Sequence, residues 1–344
     1  MIAKFKPKFT PLTKKRIDNF KRNKRGFWSL WIFSILFVIS LFAEFLANDK
    51  PILVEYNDQY YFPIFKEYSE KEFGGYFTTE ADYKDPFLIE QVRKSNGFIL
   101  MPPIEYNYEF SRGTSVLVPP SKLHVLGTDD TGRDVAARVI YGFRISVLFG
   151  FALTIASSII GIVAGALQGY LGGWVDLIMQ RFLEIWSSMP FLFVLIILAS
   201  VVEPNIVWLF FIMLLFSWTK LVDLVRAEFL RARNFEFVRA ARALGVREPT
   251  IIFRHILPNA LVSTFTFLPF ILTGAVTVLA ELDFLGFGLP ASYPSLGELA
   301  LQGKNNLDSP WLAAASFFTI AITLSLLVFI GEALRDAFDP RKSV

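Results

Sequence analysis

A chain of 344 residues that is 53% hydrophobic and only 19% charged is too apolar for an ordinary soluble domain. With no cysteine, disulfides and thiolate metal sites are excluded, and the two histidines, His124 and His255, are too far apart in sequence to suggest a histidine-rich metal centre. The net charge of +3 says little by itself; its placement says more.

The first 26 residues hold ten Lys or Arg and one acid, and an apolar run begins at Phe27. The run to Leu46 is too long for the core of a signal peptide, and no small-x-small cleavage site follows it. We read it as a retained first transmembrane helix, 27–46, behind a cytoplasmic basic arm, 1–26. Nucleic-acid binding is not needed to explain the arm, because basic flanks beside a membrane helix have a sufficient cause. Five further runs approach the ~20 residues that a spanning helix needs: 145–168, 182–202, 206–225, 260–281 and 311–331. Continuous apolar runs exclude a β-barrel, whose strands alternate. The third and fourth are joined by Glu203-Pro204-Asn205, a tight turn.

Alternation from a cytoplasmic N-terminus places 1–26, 169–181, 226–259 and 332–344 inside, and 47–144, 203–205 and 282–310 outside. The 226–259 loop carries seven Arg against three Glu, in keeping with the positive-inside bias. Segment 47–123 carries twelve acids against eight bases, which weighs less because long segments translocate largely regardless of charge. Gly161, Gly165 and Gly169 recur every four residues, as do Ala152 and Ala156, and predict close helix packing rather than a substrate site. Pro190 and Pro269 lie inside the third and fifth runs, where each is expected to bend its helix or loosen a turn.

The hydrophilic insert, 47–125, is rich in aromatics, among them Tyr56, Tyr60, Tyr61, Phe62, Phe65, Tyr68, Phe73, Tyr76, Phe77, Tyr106, Tyr108 and Phe110. Disordered segments lack such residues, so a small packed cap is expected, with the aromatics forming its core or a docking surface. Within Leu126–Ile145, Thr128 is placed to cap a helix, with Asp129, Asp130 and Asp134 near its start. The three acids invite a metal reading, but the spacing is not that of a calcium loop and Arg133 would pair with them. An amphipathic helix leading into the membrane is the expectation.

From Val225 to Arg242 charges recur at helical spacing: Arg226, Glu228, Arg231, Arg233, Glu236, Arg239 and Arg242. Gly245 ends or bends this helix, and Glu248-Pro249 starts a second, carrying His255 and ending at Leu257-Pro258-Asn259. Two short helices beneath the bilayer would form a rigid lever; composition alone allows a lipid-bound surface helix equally. The chain has no phosphate-binding glycine loop, so any ATP used is held by another chain.

Residues 235–259 resemble the EAA loop of ABC importer permeases. Ala240, Ala241, Gly245, Leu257 and Pro258 stand at the matching positions. Arg239 stands where the family has glutamate, with Glu236 one turn earlier. Leu126-Gly127-Thr128-Asp129 with Gly132-Arg133-Asp134, Phe284–Leu289, Pro294–Gly297 and the tail Leu334–Arg341 resemble the second, C-type permease of the dipeptide and oligopeptide branch. Phe73–Tyr83, Asp85-Pro86, Pro102-Pro103-Ile104, Pro119-Pro120-Ser121 and residues 127–146 narrow the resemblance to the permeases of microcin C importers of Gram-negative bacteria.

The resemblance implies an all-α integral membrane protein with six transmembrane helices in a type I ABC importer permease fold, carrying the extracytoplasmic insert 47–125 ahead of a core domain, 126–344. It implies a non-enzymatic subunit, with no cofactor of its own, in a bacterial inner membrane, its N- and C-termini cytoplasmic. Its partners would be a second homologous permease, a cytoplasmic ABC ATPase with two domains, separate or fused, that binds ATP and Mg, and a periplasmic peptide-binding protein. The cargo would be an oligopeptide or a microcin C-like peptide-nucleotide. ATPase coupling would fall to Glu236, Arg239, Ala240, Ala241, Gly245, His255, Leu257 and Pro258, and a periplasmic signature to Gly127, Thr128, Asp129, Gly132, Arg133 and Asp134. Within the spans, Glu184 and Glu281 are candidates for the pathway or for an inter-helix contact, while Lys220 and Asp223 are expected at the cytoplasmic surface. The rival readings are a proton-coupled secondary peptide transporter and a non-transport membrane scaffold.

Overall fold

The structure is a computed structural model that describes residues 11–109, 115–199, 201 and 205–339. The Glu203-Pro204 part of the expected turn, Phe110, and Pro340-Arg341 of the tail lie outside the described residues. In chain order, α1 spans Pro11–Arg22, α2 Lys24–Leu41 and the single turn α3 Ala43–Leu46. The insert follows, with β1 Leu53–Tyr56, β2 Gln59–Tyr61, α4 Pro86–Lys94 and β3 Ile99–Leu100. The remainder is helical: α5 Val135–Leu171, α6 Gly173–Ser188, α7 Phe191–Ala199, α8 Ile206–Ser217, α9 Thr219–Ala232, α10 Glu236–Ala243, α11 Glu248–Thr250, α12 Leu257–Phe284, α13 Leu296–Asn305 and α14 Pro310–Phe338.

Among the described residues, five helices are long and apolar enough to cross a membrane, and a bent pair makes a sixth. The basic arm is helical over α1, set off from α2 at Asn23, whose side chain accepts from the Gly26 N–H at 3.2 Å. Arg16 sits over the Phe338 ring at 4.6 Å, fastening α1 to the end of α14. α5 is the axis of the fold. Its 37 residues measure about 55 Å at 1.5 Å per residue, more than a bilayer core requires. Three apolar clusters run along it. One gathers Phe143 and Val147 with Phe33, Leu272 and Leu327; the next Phe149 and Leu153 with Met213 and Leu279; the last Val225, Phe229, Val238, Ile251 and Ile256 against Ile162 and Ala166.

The glycine stripe is a packing seam, as expected. A Cβ at Gly165 would stand 2.6 Å from the Val222 carbonyl and 2.8 Å from the Val225 Cβ on α9, and Gly161 and Gly169 meet α9 in the same way. The third run differs from a continuous 182–202 helix. α6 and α7 meet at a 72° bend at Met189-Pro190, because proline lacks an N–H and forces the residue before it out of helical geometry; Met189 has ψ 127. Pro269, by contrast, lies inside an unbroken α12.

Two further expectations are corrected. The helix ahead of the second span starts later than expected and is not separate from it: residues 115–134 form a loop, and α5 runs unbroken from Val135 with Asp134, not Thr128, as its cap, accepting from the Ala137 N–H at 2.8 Å. The second short helix of the loop is not separate either. Glu248–Phe284 forms one rod of 37 residues, with a wide turn at Ile251–Ile256 in which the Leu257 N–H reaches back to the Ile252 carbonyl. Pro258 would clash with the carbonyl four residues before it in a regular helix, and the wide turn absorbs that conflict.

The insert contains a sheet that the sequence reading did not foresee, ordered β2-β1-β3 and antiparallel throughout. Asn57 and Asp58, at φ 51 and 60, make the two-residue turn between β1 and β2. Its core is Val54, Phe73, Tyr83, Leu88 and Val92, with Tyr56, Tyr61 and Tyr68 packed on them. Tyr60, Phe62, Phe65, Tyr76 and Phe77 remain exposed, so the aromatics divide between core and surface.

Candidate functional site

The two ends of α5 carry the two constellations singled out in the sequence. At its Leu171 end, α9 stops at Ala232 and a turn at Arg233–Phe235 redirects the chain into α10, so the run of charges from Val225 to Arg242 belongs to two helices rather than one. α10 buries Val238 and Ala241 against Phe229, Ile251 and Ile256. Its other face, with Arg239, Ala240 and Ala243, is exposed, and Glu236 stands exposed in its first turn. Gly245 closes the helix at φ +75, donating to the Arg242 carbonyl at 3.0 Å while the Val246 N–H donates to the Ala241 carbonyl at 3.1 Å. This paired termination requires a left-handed residue.

Leu244, 83% exposed, projects at the tip, and Phe253, 68% exposed, projects from the wide turn. Phe235 and Phe237, in ring contact at 5.6 Å, add to this apolar surface. The sequence reading weighed charge and missed these four; the signal was large apolar residues set among arginines on a helix too short to span a membrane. His255 is half-buried in the wide turn, Leu257 joins the cluster beneath α10, and Pro258 is exposed in the first turn of α12.

The loop is tied to the helices behind it. The Arg242 guanidinium pairs with Glu248 at 2.9 Å and donates to the Tyr170 hydroxyl at 3.1 Å, while Arg233 donates to the Tyr170 carbonyl at 3.3 Å. Arg226 binds Asp176 with two hydrogen bonds, at 2.5 and 2.7 Å, linking α9 to α6. Buried packing joins α10 to the Glu248–Phe284 rod.

At the other end of α5, Gly127, Thr128, Asp129, Gly132, Arg133 and Asp134 converge. The Thr128 hydroxyl donates to the Ser115 carbonyl and accepts from the Val118 N–H, both at 2.8 Å. Asp129 accepts from the Arg133 Nε at 2.6 Å and from the Thr131 and Arg133 backbone N–H groups at 2.9 Å. Arg133 also donates to the Ala291 carbonyl and, at 3.0 Å, to Glu298, which Arg138 binds from the other side. Burial pushes the Asp129 carboxyl up, but Arg133, its backbone hydrogen bond and Arg138 outweigh burial and hold it below the ordinary range. Asp130, beside it, is pushed up by burial and by the Asp129 charge.

Two arginines thus meet two acids, and the knot welds the start of α5 to α13 and the loop before it. Asp134 is occupied as well, by the helix cap and by His124 Nδ1 at 2.8 Å. These acids are structural, and no group of three potential metal ligands occurs among the described residues.

Glu184, a candidate for the pathway or an inter-helix contact, pairs with Arg181 on its own helix at 2.5 Å and makes no ion pair to another helix among the described residues. Glu281 is exposed on α12. Asp223 accepts from Gln180 at 3.4 Å. Lys220, exposed on this chain, stands in the Ile206–Ala232 helix six residues before Arg226, its Nζ 3.2 Å from where a Gly274 Cβ would be.

Comparison with known proteins bears on both constellations. A family model described as binding-protein-dependent transport system inner membrane component matches residues 144–344, and one described as the N-terminal TM domain of oligopeptide transport permease C matches residues 12–63. The chain is similar to the inner membrane ABC transporter permease protein YejE of Escherichia coli, 56% identical over 98% of this chain and 99% of the relative. It is also similar to the peptidoglycan transport system permease protein YejE of Agrobacterium fabrum, 54% identical over 100% and 97%. The oligopeptide transport system permease protein OppC of Haemophilus influenzae is 37% identical over 71% of this chain and 80% of the relative.

Proposed function

The chain belongs to the binding-protein-dependent transport system inner membrane components, and from that premise we propose how it works as a permease subunit of an ABC-type peptide importer. Family membership sets aside the secondary-transporter and scaffold readings. The observation that carries the mechanism is α10, an exposed helix packed on a rod that continues without a break into the fifth span.

An ATPase partner grips the exposed face of α10 and the apolar tip at Leu244. Closure of the ATPase on ATP moves α10 against the bilayer. The Val238–Ile251–Ile256 packing passes that movement to the Glu248–Phe284 rod and to α9, tipping the spans between two access states around a pathway shared with a second permease. The coupling residues act as a mechanical unit: Ala241 and Leu257 pack, Gly245 sets the turn, Glu236, Arg239, Ala240 and Pro258 present the surface, and His255 sits where the wide turn takes up the bend. No bond in the cargo is broken.

In this reading both termini and the 226–259 loop lie in the cytoplasm, and the Asp129–Arg133 knot and the insert face the periplasm. There the binding protein delivers cargo, and the knot keeps the receiving loops rigid while the spans move. The insert's exposed Tyr60, Tyr76 and Phe77 are available to a docking partner. The cargo is a peptide or a microcin C-like peptide-nucleotide, supported by the insert motifs and by relatives that share the insert over nearly their whole length. A second cargo, peptidoglycan-derived material, is favoured by the similarity to the peptidoglycan transport system permease protein of Agrobacterium fabrum over the whole chain.

ATP-dependent uptake into proteoliposomes bearing the full complex tests this reading. Accumulation of a labelled peptide that requires both ATP and binding protein is expected. Accumulation driven by a proton gradient without ATP would contradict it. Competition by microcin C or by peptidoglycan fragments then separates the two cargo readings.

A further inference from the structure

The two spans that flank the insert mark where the hydrocarbon begins on its side. In the first, Phe27 to Phe45 rises about 27 Å, close to the ~30 Å of a bilayer core. In the second, the apolar run opens at Ile145, directly after Arg144. Arg144 donates to both carboxylate oxygens of Glu44, at 2.8 and 3.0 Å. The polar edge of one span is thus fastened to the polar edge of the other, and both put the boundary at the level of Glu44 and Phe45.

One part of the cap comes down to that level. After β2 the chain makes a tight turn in which the Phe65 and Lys66 N–H groups both donate to the Phe62 carbonyl, at 3.0 and 3.2 Å. The turn brings Phe65 against Phe45, with ring centroids 5.8 Å apart. Phe45 touches Phe42 in the same way, at 6.3 Å, and Phe42 is exposed on the first span. Phe65 is 74% exposed and Phe62 is exposed with it, whereas the cap's own core gathers elsewhere, around Phe73. The two rings therefore contribute little to the folding of the cap, and they extend the apolar surface of a membrane helix.

We propose that the Phe62–Phe65 turn is a membrane anchor, whose two rings bed into phospholipid at the headgroup boundary beneath the cap. Apolar side chains at that depth leave water by entering the edge of the leaflet. Continuity with the first span through Phe45 and Phe42 makes the bilayer, and not a separate protein, the cover of this patch. The anchor holds the cap at a second point, besides the hydrogen bonds that join Asn48 to Ile104 and Ile104 to Leu46. It does not rest on the cargo reading and holds for either orientation of the chain.

The chain has no native cysteine, so a single nitroxide label can be placed at a chosen residue. The full-length chain carrying Phe65→Cys is labelled and reconstituted into phosphatidylethanolamine–phosphatidylglycerol vesicles. Val38→Cys, exposed on the first span, and Tyr76→Cys, exposed on the cap, serve as references. Electron paramagnetic resonance then compares collisions with oxygen, which concentrates in lipid, and with a water-soluble nickel chelate.

The oxygen-to-nickel ratio at Phe65 is expected to be several-fold higher than at Tyr76 and to lie below that at Val38. If Phe65→Cys does not insert, Phe62→Cys on the same turn carries the same test. A ratio at the turn equal to that at Tyr76 would overturn the proposal, because the rings would then stand in water. A several-fold loss of oxygen access when the second permease is co-assembled, or when binding protein is added, would overturn it too, because protein would then cover the turn.

Discussion

Gly245 and Asp129 are single residues whose surroundings dictate their identity. At φ +75 with open space around it, Gly245 is required by backbone conformation and not by crowding. Gly245→Val is therefore expected to cost about 1–2 kcal/mol of loop stability, because a left-handed conformation penalises a side chain. Gly245→Asn should cost only a few tenths, since asparagine tolerates the same conformation. Hydrogen exchange of residues 236–250 would register the difference. The Gly245 turn was legible in the sequence, because a glycine after a helical run has few other uses.

Asp129 illustrates what was not legible. Its acidity and the nearby Arg133 suggested a pair, but Glu298 and Arg138, which complete the knot, lie far along the chain or inside the next helix. Removing one partner leaves an uncompensated buried charge, so Asp129→Asn should destabilise the chain by on the order of 3 kcal/mol near neutral pH. Because the folded carboxyl is held below its ordinary value, its contribution is fully present above the unfolded pKa of ~3.9 and is lost as pH falls through the folded value. The gap in thermal midpoint between the unaltered chain and Asp129→Asn should therefore be constant above about pH 5 and shrink only below about pH 4. A gap that closed between pH 8 and 6 would contradict this assignment.

The helices were legible where apolar length decided them and illegible where proline did. Pro190 and Pro269 look alike in sequence, yet one breaks a span by 72° and the other sits within an unbroken helix. Pro258 was expected to close a short helix; instead a wide turn carries the helix past it. The close-packing face of α5 was foreseen from glycine spacing, because helices of this kind approach closely only where side chains are absent, but α9 as its partner was not. Gly165→Ala should force α5 and α9 apart and cost about 1–3 kcal/mol. Val163→Ala, at an exposed position one residue pair away, should stay within ±0.5 kcal/mol. Thermal midpoints in detergent distinguish the two; equal effects would show that the seam is not tightly packed in the assembled protein.

The whole molecule joins a set of membrane-crossing helices to a small cap with an apolar core of its own. The cap's sheet escaped sequence reading because its strands are two to four residues long, too short for alternation to register, although Asn57-Asp58 was a hairpin signal in plain view. Its ends lie side by side, with Asn48 donating to the Ile104 carbonyl at 3.1 Å and Ile104 to the Leu46 carbonyl at 3.0 Å. Replacing residues 49–103 by a short linker is therefore expected to leave membrane insertion and assembly with the second permease intact, as judged by co-purification. Loss of assembly would show that the cap holds the core together.

In the proposed mechanism α10 and its rod convert ATP hydrolysis into movement of the spans. The most direct measurement is ATPase activity of the assembled complex, with and without peptide-loaded binding protein, for the unaltered chain, Gly245→Val and Gly245→Asn. The coupling account predicts stimulation by loaded binding protein in the unaltered chain and in Gly245→Asn, and its loss in Gly245→Val while the complex still purifies whole. Identical stimulation in all three would contradict the claim that this turn transmits the movement.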